Sequence, residues 1–180
     1  MTNTIRVWEH TFEPYLVESE IEERVRTIGA QINLEYEGKW PLFIAVLNGA
    51  FMFAADLFRH VAIQCEITFV KLNSYEGTAS TGQVNTLLGL KENVEGRDLI
   101  IIEDIVDSGL TMSGILTELQ AKNPASIRVA SLLLKPDSLK VPLHIDYVGF
   151  EVPNEFLLGY GLDFNGRGRN LRDIYKIVSA

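Results

Sequence analysis

Residues 99–111 read Leu-Ile-Ile-Ile-Glu-Asp-Ile-Val-Asp-Ser-Gly-Leu-Thr. The four apolar residues Leu99 to Ile102 have the length and continuity of a short buried strand. The adjacent acids Glu103 and Asp104 are expected where that strand ends. Asp107, Ser108, Gly109 and Thr111 then make a small polar loop, and an amphipathic segment over 111–122 reads as a helix. This order suits a ligand that carries both a sugar diol and a phosphate. Carboxylates accept hydrogen bonds from hydroxyls, and backbone N–H groups at a helix N-terminus bind phosphate. Two adjacent acids directly after a buried strand repel each other unless a cation or a polyol lies between them.

The flanking sequence alternates strands and helices. Ser19 with Glu22 has the spacing of a capping box. Ile21, Val25, Ile28 and Ile32 continue at helical spacing, so a first helix is expected over 19–36, ended by Gly38 and Pro41. Leu42–Leu47 reads as a strand, Asn48-Gly49-Ala50 as a turn and Phe51–Val61 as a helix. Glu66–Leu72 is a further strand. Asn123-Pro124 stops the helix after the acidic loop, and strands are expected at Ile127–Leu134 and Tyr147–Val152. Such alternation predicts an α/β domain with a mainly parallel sheet. Ligands of these sheets bind beyond the carboxyl ends of strands, here after Leu47, Ile102 and Leu134. With no repeat, low-complexity tract or charge block, one domain over 1–180 is expected. Residues 73–86 are rich in Gly, Ser, Thr and Asn and lack a hydrophobic period. They read equally as a lid or as a connector.

Composition narrows the function classes. The net charge of −8 and pI near 4.9 argue against an extended nucleic-acid footprint, which needs clustered Lys and Arg. A small anionic ligand remains compatible, because a local nest of N–H groups overrides the global field. Cys65 is the single cysteine, so no internal disulfide forms, and it reads as a small buried hydrophobe. The N-terminal residues lack the apolar run of a signal peptide. No apolar stretch approaches the roughly 20 residues of a membrane span. No membrane partner and a cytoplasmic location are therefore expected.

No Gly-Lys-Ser/Thr phosphate loop follows the central strand, and Gly159-Tyr-Gly161 and Gly166-Arg-Gly168 are bare G-x-G pairs without a helix behind them. Glu-Asp-Ile-Val-Asp-Ser-Gly-Leu-Thr at 103–111 resembles instead the 5-phosphoribosyl pyrophosphate (PRPP) motif of the type I phosphoribosyltransferase family. Within that family the chain is most similar to the hypoxanthine (hypoxanthine-guanine) phosphoribosyltransferases. Val46-Leu47-Asn48-Gly49-Ala50-Phe51 resembles their pyrophosphate loop, and Asn73-Ser74-Tyr75 the start of their mobile lid. Ser131–Lys135 resembles the strand that delivers a purine-reading lysine. Val148–Pro153, Phe156–Tyr160 and Leu162-Asp163 resemble the purine pocket. The likeness spans about 42–172 in the family's order.

The resemblance implies a mainly parallel central sheet flanked by helices, with a small hood formed by the C-terminal segment over 150–172. It implies transfer of a phosphoribosyl group to a 6-oxopurine, with Mg²⁺ as cofactor. Asp107 would be the catalytic base or acceptor at the purine. Glu103 and Asp104 would meet the ribose hydroxyls and, with Asp163, the metal or its waters. Ser108, Gly109, Leu110 (through its amide) and Thr111 would hold the 5′-phosphate, and Asn48, Gly49 and Arg169 the pyrophosphate. Lys135, Phe156, Leu157 and Asp163 would read the purine, and Ser74 and Tyr75 would belong to the lid. Taken from position alone, Lys135 is a surface lysine, Asp163 a turn aspartate, and Phe156 as readily a core aromatic as a stacking one. Arg167 and Arg172 are expected as solvated charges. A homodimer or homotetramer is the family's implication.

Two departures stand out. The family often has Lys where this chain has Asn48, which removes a side-chain cation but leaves the Gly49 amide. Asn165-Gly166-Arg167-Gly168 holds two glycines where the family has bulkier or acidic residues, a permissive loop next to Arg169. Two other functions compete: a non-catalytic nucleotide-sensing module that binds RNA on the same fold, and a phosphoribosyltransferase that prefers xanthine.

Overall fold

The first elements are two antiparallel strands, β1 (Ile5–Val7) and β2 (His10–Leu16), in a computed structural model that describes residues 4–72 and 87–178. Helix α1 (Glu18–Glu35) buries Ile21, Val25, Ile28 and Ile32, the stripe its spacing predicts. Its start corrects the expected capping box. The flanking residue is Val17, whose N–H donates to the Glu20 carboxylate at 3.1 Å, and Ser19 and Glu22 lie inside the helix. Leu16 is still paired with Ile174, so strand pairing sets where the helix begins, ahead of the Ser19 hydroxyl.

The chain then alternates through β3 (Leu42–Leu47), α2 (Phe51–His60), β4 (Glu66–Leu72), β5 (Leu87–Leu88), β6 (Asp98–Val106), α3 (Leu110–Gln120), β7 (Ser126–Leu134) and β8 (Tyr147–Glu151). These strands form one sheet in the order β5-β4-β3-β6-β7-β8. Five are parallel, and β5 runs antiparallel at the edge. Alternate residues serve opposite faces. Phe43, Ala45, Ile100 and Ile102 pack in the core that contains α1 and α2. Leu42, Ile44, Val46, Leu99 and Ile101 pack with Met112, Ile115 and Leu119 of α3. Burial on both faces is why Leu99–Ile102 is continuously apolar.

The central strand is longer than its apolar run. β6 continues through Glu103 and Asp104 to Val106, so the acids lie within a strand and not after one. Its pairing with β3 stops at Ala45↔Ile102, whereas its pairing with β7 continues to Val106↔Leu134. Backbone bonds to one neighbour keep the polar residues extended, and the unpaired side opens towards the end of β3.

A second sheet, order β1-β2-β10-β9, is completed by β9 (Leu157–Leu158) and β10 (Ile174–Ile177). It corrects the expected origin of the hood. Two of its four strands come from the N-terminal residues, and β10 lies beyond 172. Strands this short need partners to persist: β10 pairs with the longer β2, and β9 pairs with β10. Residues 73–86, including the expected lid residues Ser74 and Tyr75, lie outside the described residues.

Candidate active site

At the carboxyl ends of β3 and β6 lies a cleft of about 310 Å³. Asn48, Gly49, Glu103, Asp104, Asp107, Ser108, Gly109, Thr111, Asp163 and Arg169 are all among its lining residues. The floor depends on close approach. A β-carbon on Gly49 would stand 1.6 Å from Asp104 Oδ2, so only glycine lets the acid lie against the loop after β3. The Leu47–Asn48 peptide in that loop is cis. Gly109, at φ +75°, opens α3 and accepts from the Ser113 N–H at 2.9 Å. The Ser108 carbonyl is held by the Lys140 N–H at 2.9 Å. Leu110 does not line the cleft. Its side chain is exposed, and its N–H meets Ser108 Oγ at 3.4 Å.

Glu103 is 8% exposed. Burial first, and then the hydrogen-bonded Asp104 carboxylate, push its carboxyl well above the usual carboxylate range. The acidic pair therefore forms a site short of positive charge, as its position in the sequence suggests.

Across the cleft, Asp163 Oδ1 pairs with Arg169 Nη2 at 2.6 Å, and Asp163 Oδ2 accepts from the Gly166 N–H at 2.6 Å. Arg169 Nη1 also donates to the Gly161 carbonyl at 2.7 Å. The segment expected to be permissive is instead a tight turn. Asn165 and Gly166 have φ of 50° and 81°, and Phe164 and Arg167 exchange backbone bonds of 2.9 and 3.1 Å across them. An Asn-Gly pair with both φ positive is the turn whose twist matches flanking strands, so it aims Arg169 firmly. Arg167 corrects another expectation: its guanidinium stacks over the Trp8 ring at 4.0 Å and is not simply solvated. Arg172 is exposed and pairs with Glu18 at 3.1 Å.

Lys135 leaves β7 with its N–H bonded to the Val106 carbonyl at 2.9 Å. It is buried and not a surface lysine, and its Nζ reaches Asp107 Oδ2 at 2.8 Å. Phe156 is 41% exposed and does not line the cleft. It packs edge-on against Phe164 at 5.4 Å and tilted against Phe12 at 6.3 Å. Leu157 is buried in β9, paired with Lys176. The supporting residues Phe164, Phe12 and Trp8 were not singled out in sequence. The Asn165-Gly166 dipeptide was the signal available for Phe164, because such a turn sets its two flanking residues opposite each other.

Residues 15–165 match the family described as phosphoribosyl transferase domain. The chain is 44% identical over 165 residues to the hypoxanthine-guanine phosphoribosyltransferase of Bacillus subtilis (strain 168), covering 91% of this chain and 92% of that one. It is 42% identical over 155 residues to the hypoxanthine-guanine-xanthine phosphoribosyltransferase of Tritrichomonas foetus, covering 86% and 85%. Among solved structures, a hypoxanthine-guanine phosphoribosyltransferase from Bacillus anthracis matches with a TM-score of 0.84 at 38% identity, covering 92% and 96% of the two chains.

Proposed function

The chain belongs to the phosphoribosyl transferase domain family, and from that premise we propose that it transfers the 5-phosphoribosyl group of PRPP to hypoxanthine and guanine. The products are the purine nucleoside monophosphate and pyrophosphate, a purine-salvage reaction. One observation carries this reading: a single cleft joins the acidic pair Glu103 and Asp104, the start of α3 and the Arg169 guanidinium. Those three features match the diol, the 5′-phosphate and the pyrophosphate of one substrate. The whole chain, 1–180, acts as one domain in this reading.

The bond from the ribose C1 to pyrophosphate breaks as a purine ring nitrogen bonds to C1. Asp107 accepts a hydrogen bond or proton from the purine, and Lys135 donates to its exocyclic oxygen. Ser108, Gly109, Leu110 and Thr111 hold the 5′-phosphate through hydroxyls and amides at the helix start. Arg169 and the Gly49 amide, with Asn48, hold the departing pyrophosphate, for which a planar guanidinium is suited. Glu103 and Asp104 accept the ribose hydroxyls. Phe156 covers the purine face and Leu157 reads its edge through backbone groups.

Mg²⁺ fits this donor set. Carboxylate oxygens are hard ligands, and at Glu103 burial already disfavours negative charge. No group of three or more His, Cys, Asp or Glu side chains suited to a metal occurs among the described residues. Mg²⁺ commonly takes one or two carboxylates with substrate phosphates and water. Asp163, Glu103 and Asp104 would hold it directly or through water, and when bound it neutralises charge on the pyrophosphate oxygens.

The test is direct. Protein, Mg²⁺, PRPP and each of hypoxanthine, guanine and xanthine are mixed, and nucleotide formation is followed chromatographically. Turnover with hypoxanthine and guanine above that with xanthine is expected. Absence of turnover with either preferred base overturns the reading, and salt-dependent RNA binding without turnover would favour a regulatory module. No helix among the described residues is long and apolar enough to cross a membrane. A homodimer or homotetramer, the family's implication, is read by light scattering.

A further inference from the structure

Three consecutive residues between β9 and Asp163 have positive φ: Gly159 at 105°, Tyr160 at 47° and Gly161 at 99°. A tyrosine in this left-handed region is strained, so its surroundings must hold it there. Tyr160 is buried. Its N–H donates to the Leu171 carbonyl at 2.9 Å, and its hydroxyl donates to Asp56 Oδ2 at 2.7 Å. Asp56 is on α2, the helix that begins directly after the loop at Asn48-Gly49.

The neighbouring residue makes the consequence clear. A β-carbon on Gly161 would lie 2.1 Å from the Gly49 carbonyl oxygen, so the two backbones are in direct contact. The Gly161 carbonyl in turn receives Arg169 Nη1, and the Gly161 N–H donates to the Arg169 carbonyl at 3.0 Å. One side of this contact carries Arg169 and Asp163, and the other carries the Gly49 amide. Arg169 and the Gly49 amide are assigned to the same departing group.

We infer that Tyr160 is a positioning residue: its hydroxyl bond to Asp56 clamps the turn at 159–161 onto the loop at 48–49 and sets the spacing of the two halves of the pyrophosphate site. Tyr160 touches no reacting atom. The inference rests on the proposed transferase reading and adds to it a determinant of PRPP and pyrophosphate affinity. Burial and the Asp56 bond hold the phenol protonated, so the donor persists across neutral pH. Arg59 lies 3.8 Å from Asp56 Oδ1, and Glu18, Glu22 and Arg172 line the same cavity beside Asp56 and Tyr160.

Tyr160→Phe removes the hydroxyl and keeps the ring. Steady-state kinetics with PRPP and hypoxanthine varied separately should show KM for PRPP rising about tenfold, the scale of one lost buried hydrogen bond, with KM for hypoxanthine within about twofold. Calorimetric titration of Mg²⁺–pyrophosphate into the protein should show a matching loss of affinity, independent of turnover. Asp56→Asn retains an acceptor oxygen and should stay near wild type, while Asp56→Ala should match Tyr160→Phe, and the double variant should be no worse than either. Unchanged PRPP and pyrophosphate parameters in Tyr160→Phe, or an equal loss for both substrates with a lowered Tm, overturn the clamp alone. A wild-type protein that neither transfers nor binds pyrophosphate overturns the transferase reading and the clamp together.

Discussion

Lys135 Nζ lies 2.8 Å from the carboxylate of Asp107, although the two residues sit on different strand ends, 28 positions apart. The lysine side chain is 9% exposed and the aspartate 52%, so the ammonium is the desolvated partner. The two groups assigned to the purine thus hold each other, and a purine entering the site would share both.

Separating their roles needs one variant of each. Lys135→Ala should raise KM for hypoxanthine by about 10- to 100-fold, the scale of a lost charged hydrogen bond, and leave KM for PRPP close to wild type. Asp107→Asn should lower kcat by about 10²–10⁴-fold if it assists proton transfer, with PRPP affinity little changed. Initial-rate kinetics with each substrate varied reads both outcomes. Unaltered hypoxanthine KM or unaltered kcat removes the corresponding assignment.

Gly49→Ala places a methyl group where Asp104 Oδ2 now stands. Overpacking of this kind costs about 1–3 kcal/mol, and here the strain falls on the acid assigned to the ribose in the proposed reaction. PRPP affinity should drop by about 10- to 100-fold while far-ultraviolet circular dichroism stays that of the wild type. An alanine variant with normal PRPP binding would show that Asp104 can leave the loop without consequence.

Glu103 imposes a pH dependence on stability. Its carboxyl is raised in the folded protein by burial and by Asp104, so the folded state keeps this proton longer than the unfolded chain. The stabilisation is complete below the ordinary carboxylate range and is lost as pH rises through the raised value. Glu103→Gln is neutral throughout. In ligand-free protein, Tm of the variant minus Tm of wild type should therefore grow from mildly acid to mildly alkaline buffer. A difference that stays flat would mean that Glu103 titrates as an ordinary exposed acid.

Phe164 packs edge-on against Phe156, the residue assigned to the purine face in the proposed reaction, with 5.4 Å between ring centres. Phe164→Ala removes an aromatic pair worth about 0.5–1.5 kcal/mol beyond its area. KM for hypoxanthine should rise about two- to tenfold, with a smaller effect on PRPP. Equal effects on both substrates would assign Phe164 to the hood as a whole.

Much of the fold was legible because burial leaves a periodic trace. The stripe on α1, the short apolar run of β3 and the continuous run Leu99–Ile102 each record which faces a core must cover. Residues 103–111 likewise announced a sugar-phosphate site, since acids, a hydroxyl and glycine in that order serve little packing purpose. The hood left a weaker trace. β1, β9 and β10 are two to four residues long; β1 and β10 pair with β2, and β9 pairs with β10, which joins the two ends of the chain. Helix capping at Val17 and the extension of β6 through Glu103 and Asp104 were set by neighbouring strands that local spacing does not report.

The order of elements, the two-faced apolar core and the acidic character of the loop at 103–111 follow from residue type and near-neighbour periodicity alone. Folding brings Lys135 to Asp107, Gly161 onto Gly49, Trp8 to Arg167 and Phe12 to Phe156. These contacts join residues far apart along the chain. Their energies depend on distance and burial, which strand register and the twist of the sheet supply and which no local pattern contains.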